Sequence, residues 1–344
     1  MKAVLAEDEQ KRHYPPSYLV NGVQQPNPER PDRIAMLLQG AKDAGCEVVR
    51  PANYGDEPIL AVHSERYLKF LSRAHQRWSH IKGASEAVTP NIHPYHRRSY
   101  PDSVVAQAGW HMIDASAPIS ADTWASAQWS AWSAAHAAQL VLEGERAAYA
   151  LCRPPGHHAN AETAGGFCYL NNSAIAAAAL RKTHSRVAIL DVDLHHGNGT
   201  QDIFYDRSDV LTVSIHADPV RFYPFFWGYA DEIGNGDGDG EGFNLNLPLP
   251  RGADDAAFLA ALDVAVKKVS AFNPGALVIA LGLDAYEGDP IAGLGVTTSG
   301  FAKIGETIAS SLSLPTVIVQ EGGYPCNELG GNLTSFLGGY QSRI

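Results

Sequence analysis

Short apolar runs rich in β-branched residues alternate with longer alanine-rich segments along most of this chain. Six runs are typical of strands: 2–6, 147–152, 186–193, 209–216, 275–284 and 315–324. Four segments have helical patterning: 123–144, 171–182, 254–272 and 299–312. Continuous apolar strands that alternate with helices indicate a mostly parallel central β-sheet flanked by helices on both faces. The pattern therefore predicts one α/β domain over residues 1–344, because nothing in it resembles a linker or a repeat.

Composition narrows the class of protein. The chain has 344 residues, 45% of them hydrophobic and 18% charged, so a packed globular protein is expected. Its formal net charge of −11 argues against a nucleic-acid binder. No apolar run approaches the roughly 18 residues of a membrane span, and the charged N-terminus is unlike a signal peptide. We expect a cytoplasmic protein with neither a nucleic-acid nor a membrane partner.

Two stretches lack the alternating pattern. Residues 76–106 form a long predicted loop rich in histidine, proline and aromatic residues, and loops of this length are usually functional or interface-forming. Residues 217–242 run into the sequence IGNGDGDGEG, which resembles a calcium-binding loop. With Asp237 as position 1 of an EF-hand, the acidic position 12 would be Pro248, so the template fails. A turn-rich loop is the better interpretation there.

Ligand-type side chains follow five predicted strands at their carboxyl ends. These residues are His157 and His158; Asp191, Asp193, His195 and His196; Ser214 and His216; Asp284 and Asp289; and Glu321 and Tyr324. In an open α/β sheet the active site lies beyond the carboxyl ends of the strands. Core packing does not explain why five strands would deliver such groups to one edge of the sheet. The distribution therefore predicts a functional site.

Three of these residues form a plausible metal-binding set. Asp193 and His195 project to the same side of extended backbone, although the spacing alone fits a hydrogen-bonded strand end equally well. Asp284 by itself would be read as a helix N-cap. Together the three leave a coordination position open, as catalytic zinc sites do, and such ligands also accept Fe(II), Co(II) or Mn(II). The four cysteines contain no C-x-x-C pair, so a cysteine zinc site and a disulfide framework are both disfavoured.

The remaining groups can supply proton transfer. The turn CRPPGHH would let His157 and His158 face one point, where they could act as an acid–base pair on a metal-activated water. Tyr324 follows two glycines and could donate its O–H to an oxyanion. The alternative for Tyr324 is an ordinary core aromatic.

Five ordered motifs carry a resemblance to a known family. They are RPPGHH, GGFCYLNN, DVDLHHGNGTQDIFY, GLDAYEGDPIAGLGVT and EGGY. From about residue 123 onward the chain resembles the zinc-dependent histone deacetylases of the arginase–deacetylase superfamily, and it is most similar to the bacterial acetylpolyamine amidohydrolases. The eukaryotic members tend to carry aspartate where this chain has Asn198. The resemblance implies the arginase–deacetylase fold and hydrolysis of an N-acetyl amide.

The resemblance also implies roles for individual residues. Three of them would bind the zinc ion: Asp193, His195 and Asp284. His158 would be the general base, with His157 beside it as an electrostatic partner and proton donor. Asp191 would hold the second ring nitrogen of His157, and the neutral amide of Asn198 should leave His158 less basic. Tyr324 would polarise the amide carbonyl.

The same resemblance implies a substrate channel and a second ion. Phe167 and Tyr223 would form the walls of a narrow channel, and the Gly166 carbonyl could accept the substrate N–H. A structural potassium ion would be bound by the carbonyls of Asp191, Asp193 and His195, together with Ser214.

Two departures from the polyamine enzymes concern the substrate. The wall residue at Tyr223 is usually phenylalanine there, so a hydroxyl would narrow the channel or add a hydrogen bond. Those enzymes also tend to carry a glutamate in the long loop for the distant ammonium of the substrate. This chain offers Val104 and Val105 at the corresponding segment, and its nearby acids, Asp102 and Glu86, do not align.

The leading hypothesis is a zinc-dependent amidohydrolase that deacetylates an N-acetylpolyamine or a similar small amine. The alternatives within the class are acetyl-lysine in proteins and another small amide. A non-catalytic binder is disfavoured because the chain retains all of the expected zinc ligands, the histidine base and Tyr324. A two-metal hydrolase of the arginase type would need further aspartates. By resemblance, the loop at 76–106 would form a homodimer interface that narrows the entrance.

Overall fold

The computed structural model describes residues 1–235, 239–291 and 293–344, so Asp237 of the rejected calcium loop lies outside the described residues. The strands are β1 (Lys2–Val4), β2 (Ser17–Val20), β3 (Val23–Pro26), β4 (Glu47–Val49), β5 (Ala147–Ala150), β6 (Val187–Asp191), β7 (Val210–Ala217), β8 (Asn244–Leu249), β9 (Ala276–Leu281) and β10 (Thr316–Gln320). The helices are α1 (Glu7–Gln10), α2 (Asp32–Asp43), α3 (Glu57–Leu60), α4 (Glu65–Trp78), α5 (Val104–His111), α6 (Thr123–Leu142), α7 (Asn172–Arg181), α8 (Asn198–Phe204), α9 (Asp255–Phe272), α10 (Thr298–Ser311) and α11 (Leu329–Gln341).

The predicted α/β fold class is confirmed. In the described ranges, eight strands form one parallel sheet in the order β4-β1-β5-β10-β9-β6-β7-β8, and β2 and β3 make a separate antiparallel hairpin. The four central strands are β5, β10, β9 and β6. Because parallel strands end at the same edge, the loops after these four strands meet above the middle of the sheet.

Alternate residues of each central strand pack on opposite faces of the sheet. In β6, Ala188 and Leu190 join the core that contains residues of α2, α9, α10 and α11. Val187 and Ile189 join the core beneath α6 and α7. This two-sided burial explains why the central strands have runs of consecutive apolar residues rather than an apolar residue at every second position.

Several helices begin at a polar residue whose side chain caps the helix N-terminus, close to the start predicted from the sequence. Asn171 Oδ1 accepts from Ala174 N (2.9 Å) at the start of α7, and Asp254 Oδ1 accepts from Ala257 N (3.0 Å) before α9. The Thr297 hydroxyl accepts from Gly300 N (3.0 Å) before α10. Each cap satisfies a backbone donor that the first helical turn cannot pair.

Sequence patterning missed the less regular elements. β4 has only three residues, and β8 has the sequence NLNLPL, in which proline and alternating asparagines fit an edge strand. The hairpin β2–β3 and helices α1, α2, α3, α4, α5, α8 and α11 were also missed, because they are short or their apolar residues are interrupted by polar residues or glycines. The predicted loop 76–106 is shorter in the structure: α4 continues to Trp78 and α5 begins at Val104, so residues 79–103 carry no helix or strand.

Candidate active site

Three ligand-type side chains converge beyond β6 and β9. Asp193 and His195 follow β6, Asp284 follows β9, and one ligand atom of each lies within 4.8 Å of the others. His195 Nδ1 is 3.1 Å from Asp284 Oδ2 and 3.3 Å from Asp193 Oδ1. Zn²⁺ and related divalent ions accept two carboxylate oxygens and an imidazole nitrogen as ligands. The donor types and their spacing therefore fit one divalent metal ion.

Backbone N–H groups hold the two carboxylates in place. Leu194 N donates to Asp284 Oδ1 (3.1 Å), and Gly322 N donates to Asp193 Oδ2 (2.7 Å). A side chain at position 322 is excluded, because a Cβ there would lie 2.4 Å from Asp284 Oδ2 and 2.5 Å from Asp193 Oδ2. Burial and the Asp193 charge raise the pKa of Asp284. Two carboxylates this close favour a cation between them.

The two adjacent histidines have different partners. His157 Nδ1 lies 2.9 Å from Asp191 Oδ2, whereas His158 Nδ1 lies 2.8 Å from Asn198 Oδ1. Their ring centroids are 4.0 Å apart. An amide oxygen can only accept a hydrogen bond, so His158 carries its proton on Nδ1 when it donates to Asn198. The lone pair of the neutral His158 ring is then on Nε2.

The different partners give the two imidazoles different charges. Burial opposes protonation of His157, but the charges of Asp193, Asp191 and Glu321 outweigh it and raise its pKa to about 10. Burial, together with the positive charges of His157 and His195, lowers the pKa of His158 well below its ordinary value. The protein groups therefore favour a charged His157 beside a neutral His158 at neutral pH.

A buried glutamate fixes the turn that presents the histidines. Glu321 Oε2 accepts from Gly156 N (2.6 Å) and His157 N (3.0 Å), and Ser173 Oγ donates to Glu321 Oε1 (2.7 Å). Burial raises the pKa of Glu321 to about 7. Atoms of His157, Cys168 and Glu321 also lie within 4.8 Å of one another. Because both oxygens of Glu321 already accept hydrogen bonds, we assign this group a structural role.

Tyr324 lies on the irregular segment after β10. Its backbone N donates to Asp289 Oδ2 (2.8 Å), and its ring is 5.8 Å from the Phe167 ring. The preceding Gly323 has φ +105°, a conformation that favours glycine. Burial and the Asp284 charge raise the pKa of Tyr324 well above its ordinary value. The hydroxyl therefore stays protonated at neutral pH and can donate a hydrogen bond.

Arg33 supports Tyr324 and was missed by sequence reasoning. Its Nε donates to the Gly323 carbonyl (2.6 Å) and its Nη2 to the Glu321 carbonyl (2.7 Å). The guanidinium also lies 5.2 Å from the centroid of the Tyr324 ring, and Glu29 pairs with it at 2.6 Å. Arg33 belongs to α2, about 290 residues away along the chain. No local motif marks it, so only the fold reveals this contact.

The predicted channel residues lie next to the histidine pair. Gly166 has φ +51°, and a Cβ on it would lie 2.4 Å from His158 Cδ2. Phe167 follows with φ +67°, an uncommon conformation for an aromatic residue that the loop imposes. The Tyr223 ring is 4.8 Å from the His158 ring and 6.3 Å from the His195 ring. Tyr18 of the hairpin contacts Phe167 with ring centroids 5.2 Å apart.

Asp114 links the two walls and was not among the predicted site residues. Tyr223 Oη donates to Asp114 Oδ2 (2.6 Å), and Gly166 N donates to the same oxygen (3.2 Å). Ser116 N donates to Asp114 Oδ1 (2.7 Å), in the local turn that an Asp-x-Ser sequence favours. The Asp-x-Ser spacing is therefore the sequence feature from which Asp114 could have been identified. The Tyr223 hydroxyl was expected either to narrow the channel or to add a hydrogen bond, and in the structure it adds a hydrogen bond.

The two acids considered for the substrate ammonium, Glu86 and Asp102, are exposed residues of the segment between α4 and α5. The Asp102 carbonyl accepts from Arg77 Nη2 (2.5 Å), and the Glu86 carbonyl lies 3.1 Å from His75 Nε2. These contacts belong to the α4–α5 region rather than to the channel. Asp114, by contrast, is a carboxylate that the structure places at the channel wall, in contact with Tyr223 and Gly166.

The four residues expected to bind potassium lie on adjoining strand ends. Asp191 is the register partner of Ser214 across β6 and β7. Asp191 Oδ1 accepts from Asp193 N (3.0 Å), His195 N donates to Asp193 Oδ1 (2.8 Å), and Ser214 Oγ lies 2.7 Å from His216 Nδ1. The structure thus groups Asp191 and Ser214 with two members of the metal-ligand set, Asp193 and His195.

The fold and the site together define a metal-dependent amide hydrolase. The donor set can bind one divalent ion, His158 offers a free ring nitrogen, and Tyr324 offers a protonated hydroxyl. A family model described as the histone deacetylase domain matches residues 26–339. The chain therefore belongs to the histone deacetylase domain family, whose members are metal-dependent deacetylases.

Individual relatives match nearly the whole chain. An acetylpolyamine amidohydrolase of Burkholderia pseudomallei (strain 1710b) is 48% identical over 96% of this chain and 96% of its own length. Acetylpolyamine amidohydrolase 2 of Pseudomonas aeruginosa is 44% identical over 97% of each chain. The crystal structure of an acetylpolyamine aminohydrolase from Burkholderia pseudomallei superposes with a TM-score of 0.95 at 46% identity, covering 99% of both chains.

Among the described residues, the helices are too short or too polar to cross a bilayer.

Proposed function

We propose that this protein is a zinc-dependent deacetylase that hydrolyses an N-acetylpolyamine or a similar small acetylated amine to acetate and a free amine. The observation that carries the proposal is the convergence of Asp193, His195 and Asp284 next to His157, His158 and Tyr324. We assign one catalytic domain to residues 1–344. The reaction requires a polarised carbonyl, a base for water and an acid for the departing nitrogen.

Asp193, His195 and Asp284 are the proposed zinc ligands. When bound, zinc would polarise the acetyl carbonyl and lower the pKa of water at the site. The two aspartates formally neutralise a divalent ion, which suits a neutral amide. The adjoining residues Asp191, Asp193, His195 and Ser214 are proposed to hold a structural potassium ion, supported by their position on neighbouring strand ends.

The histidine pair is proposed to move the protons. His158 Nε2 accepts a proton from the attacking water, since its Nδ1 is engaged with Asn198 and its pKa is lowered. The charged His157, held by Asp191, stabilises negative charge that develops on the substrate. As the C–N bond breaks, the departing amine nitrogen receives a proton from this pair. The two rings titrate together, so a pH profile reports the pair.

Tyr324 is proposed to donate its hydroxyl to the carbonyl oxygen of the substrate. Arg33, through the Gly323 and Glu321 carbonyls, fixes the segment that carries it. Phe167 and Tyr223 bound the acyl-amine arm, and the Gly166 carbonyl is the proposed acceptor for the amide N–H.

Two observations support a small amine as the substrate. The relatives named acetylpolyamine amidohydrolases match this chain over nearly its whole length. The net charge of −11 also favours approach of a cationic substrate.

Access to the site bears on the size of the substrate. We propose a homodimer through residues 76–106 that restricts the entrance. Ile92 and Tyr95 support this interface, because their side chains are 62% and 94% exposed in the single chain. Sedimentation of the full chain measures the oligomeric state.

A substrate panel tests the function. Purified holoenzyme should contain about one transition-metal ion per chain and should hydrolyse acetylputrescine, acetylcadaverine or acetylspermidine with higher kcat/KM than acetyl-lysine peptides. Asp284→Asn should abolish turnover on every substrate, while Asp263→Asn, a change in an exposed ion pair of α9, should leave it unchanged. A preference for the peptides would contradict the small-amine substrate. Full activity in the metal-free protein would contradict the mechanism.

A further inference from the structure

A cleft on the surface of α4 concentrates positive charge in an otherwise acidic protein. The chain has 37 Asp and Glu residues against 26 Lys and Arg residues. Nevertheless, Arg66, Lys69, Arg73 and Arg77 all border one cavity of about 440 Å³ between α4, α5 and the segment before α5. A cavity of this volume is within the range of small-molecule sites.

The four cations share one face of the helix. Spacings of three and four residues place Arg66, Lys69, Arg73 and Arg77 on a single stripe of α4. Like charges four residues apart on a helix are destabilising, and this stripe contains two such pairs, Lys69 with Arg73 and Arg73 with Arg77. Helix stability therefore does not explain the arrangement.

Among the described residues, carboxylates pair with one of the four cations of the stripe. Lys69 pairs with Glu65 at 2.6 Å, with both side chains largely exposed. Among the described residues, Arg66, Arg73 and Arg77 make no ion pair with a carboxylate. Glu65 also borders the cavity, but it pairs with Lys69, so among the described residues three guanidinium groups border this cavity without a paired carboxylate.

Neighbouring groups hold two of the guanidinium groups in place. Arg66 lies over the Tyr100 ring, 5.0 Å from its centroid. Arg77 donates to the Asp102 carbonyl (2.5 Å) and to Gln107 Oε1, and Gln107 is itself held by the Pro101 carbonyl (2.7 Å). A guanidinium has five N–H donors, so Arg77 retains donors for a ligand. These side chains lose less conformational entropy on binding than free ones would.

We propose that this cleft, separate from the deacetylase site, binds a small multivalent oxyanion bearing phosphate or carboxylate groups. Guanidinium groups match both oxyanions with paired hydrogen bonds, and Tyr100 and Gln107 complete the cavity wall while holding Arg66 and Arg77. A long polyanion such as nucleic acid does not fit, because the protein as a whole is strongly negative and would repel it.

Isothermal titration of the metal-loaded full-length protein tests the site. Inorganic phosphate and tricarballylate serve as the phosphate and carboxylate probes, and both chelate metal weakly. Saturable binding of at least one probe is expected, weakening as salt is added. Which probe binds more tightly identifies the class of oxyanion.

A pair of variants, one inside the cleft and one outside it, tests whether the oxyanion binds at the cleft. Arg66→Gln combined with Arg73→Gln should weaken binding by about tenfold or more, since two charge-assisted contacts are lost. Arg12→Gln, a change of an exposed arginine outside the cleft, should leave it unchanged. Absence of saturable binding would overturn the proposal, and so would equal affinity in the double variant. Loss of dimerisation in the double variant without anion binding by the wild type would show that a second copy occupies the cleft instead.

Discussion

The floor of the site and the wall of its channel are built in different ways. The floor consists of strand ends: Asp193, His195 and Asp284 follow two neighbouring central strands, and backbone N–H groups hold the carboxylates. The wall consists of loops, where Phe167 has a left-handed backbone and Tyr223 is held through its hydroxyl by Asp114.

Because the floor is built from strand ends and the wall from loops, we infer that the floor controls the chemical step and the wall controls substrate specificity. Parallel strands fix the positions of the floor groups, so the reacting groups tolerate little displacement. The wall depends on a few side-chain hydrogen bonds between loops that are distant in sequence, and such bonds can change without disturbing the sheet. Variants in the floor should therefore mainly change kcat, and variants in the wall should mainly change KM.

Among variants that keep the metal ligands, the largest effect is expected for Tyr324→Phe. Removing the hydroxyl removes a donor to the carbonyl oxygen in the transition state, so kcat should fall by about 10²–10³. Steady-state kinetics with metal analysis measures this. Tyr340→Phe, which alters a buried tyrosine of α11, is the matched control and should retain activity. Near-normal turnover of the Tyr324 variant would remove Tyr324 from the mechanism.

A pH-dependent loss is expected for Asn198→Asp. A carboxylate beside His158 Nδ1 should raise the pKa of this histidine by about one to three units. His158 would then stay protonated, and unable to accept a proton, up to a higher pH. The acid limb of the kcat profile should move upward, with activity recovering as pH rises through the new pKa.

The control for this shift is Asn53→Asp, which places the same charge on an exposed loop residue. Its pH profile should match that of the wild type. An unshifted acid limb in the Asn198 variant would mean that His158 does not act as the base.

The smallest effect is expected for Tyr223→Phe, which tests the wall. The variant loses the hydrogen bond to Asp114, worth about 1 kcal/mol, so KM should rise by about fivefold with kcat nearly unchanged. Tyr229→Phe is the control, because its hydroxyl contacts the Phe225 carbonyl (2.8 Å) in the same loop and not Asp114. A tenfold fall in kcat of the Tyr223 variant would contradict the expectation that wall residues mainly affect KM.

The sequence by itself determined the central sheet and the floor. The strands before Asp193, Asp284 and Tyr324 are apolar over most of their length because both faces are covered, and this leaves a clear pattern. Polar groups directly after such strands must meet at one edge, whatever the details of the loops. For that reason the structure brings together the residues predicted from the motifs.

Only the tertiary structure decided the groups that hold and surround this site. Arg33 reaches the Gly323 carbonyl from α2, Asp114 joins Tyr223 to Gly166, and the basic stripe of α4 borders a cavity. Each contact joins segments far apart in the chain, and its geometry depends on how loops and helices pack. Local residue patterns record burial and backbone preference, whereas contacts between distant segments exist only once the chain has folded.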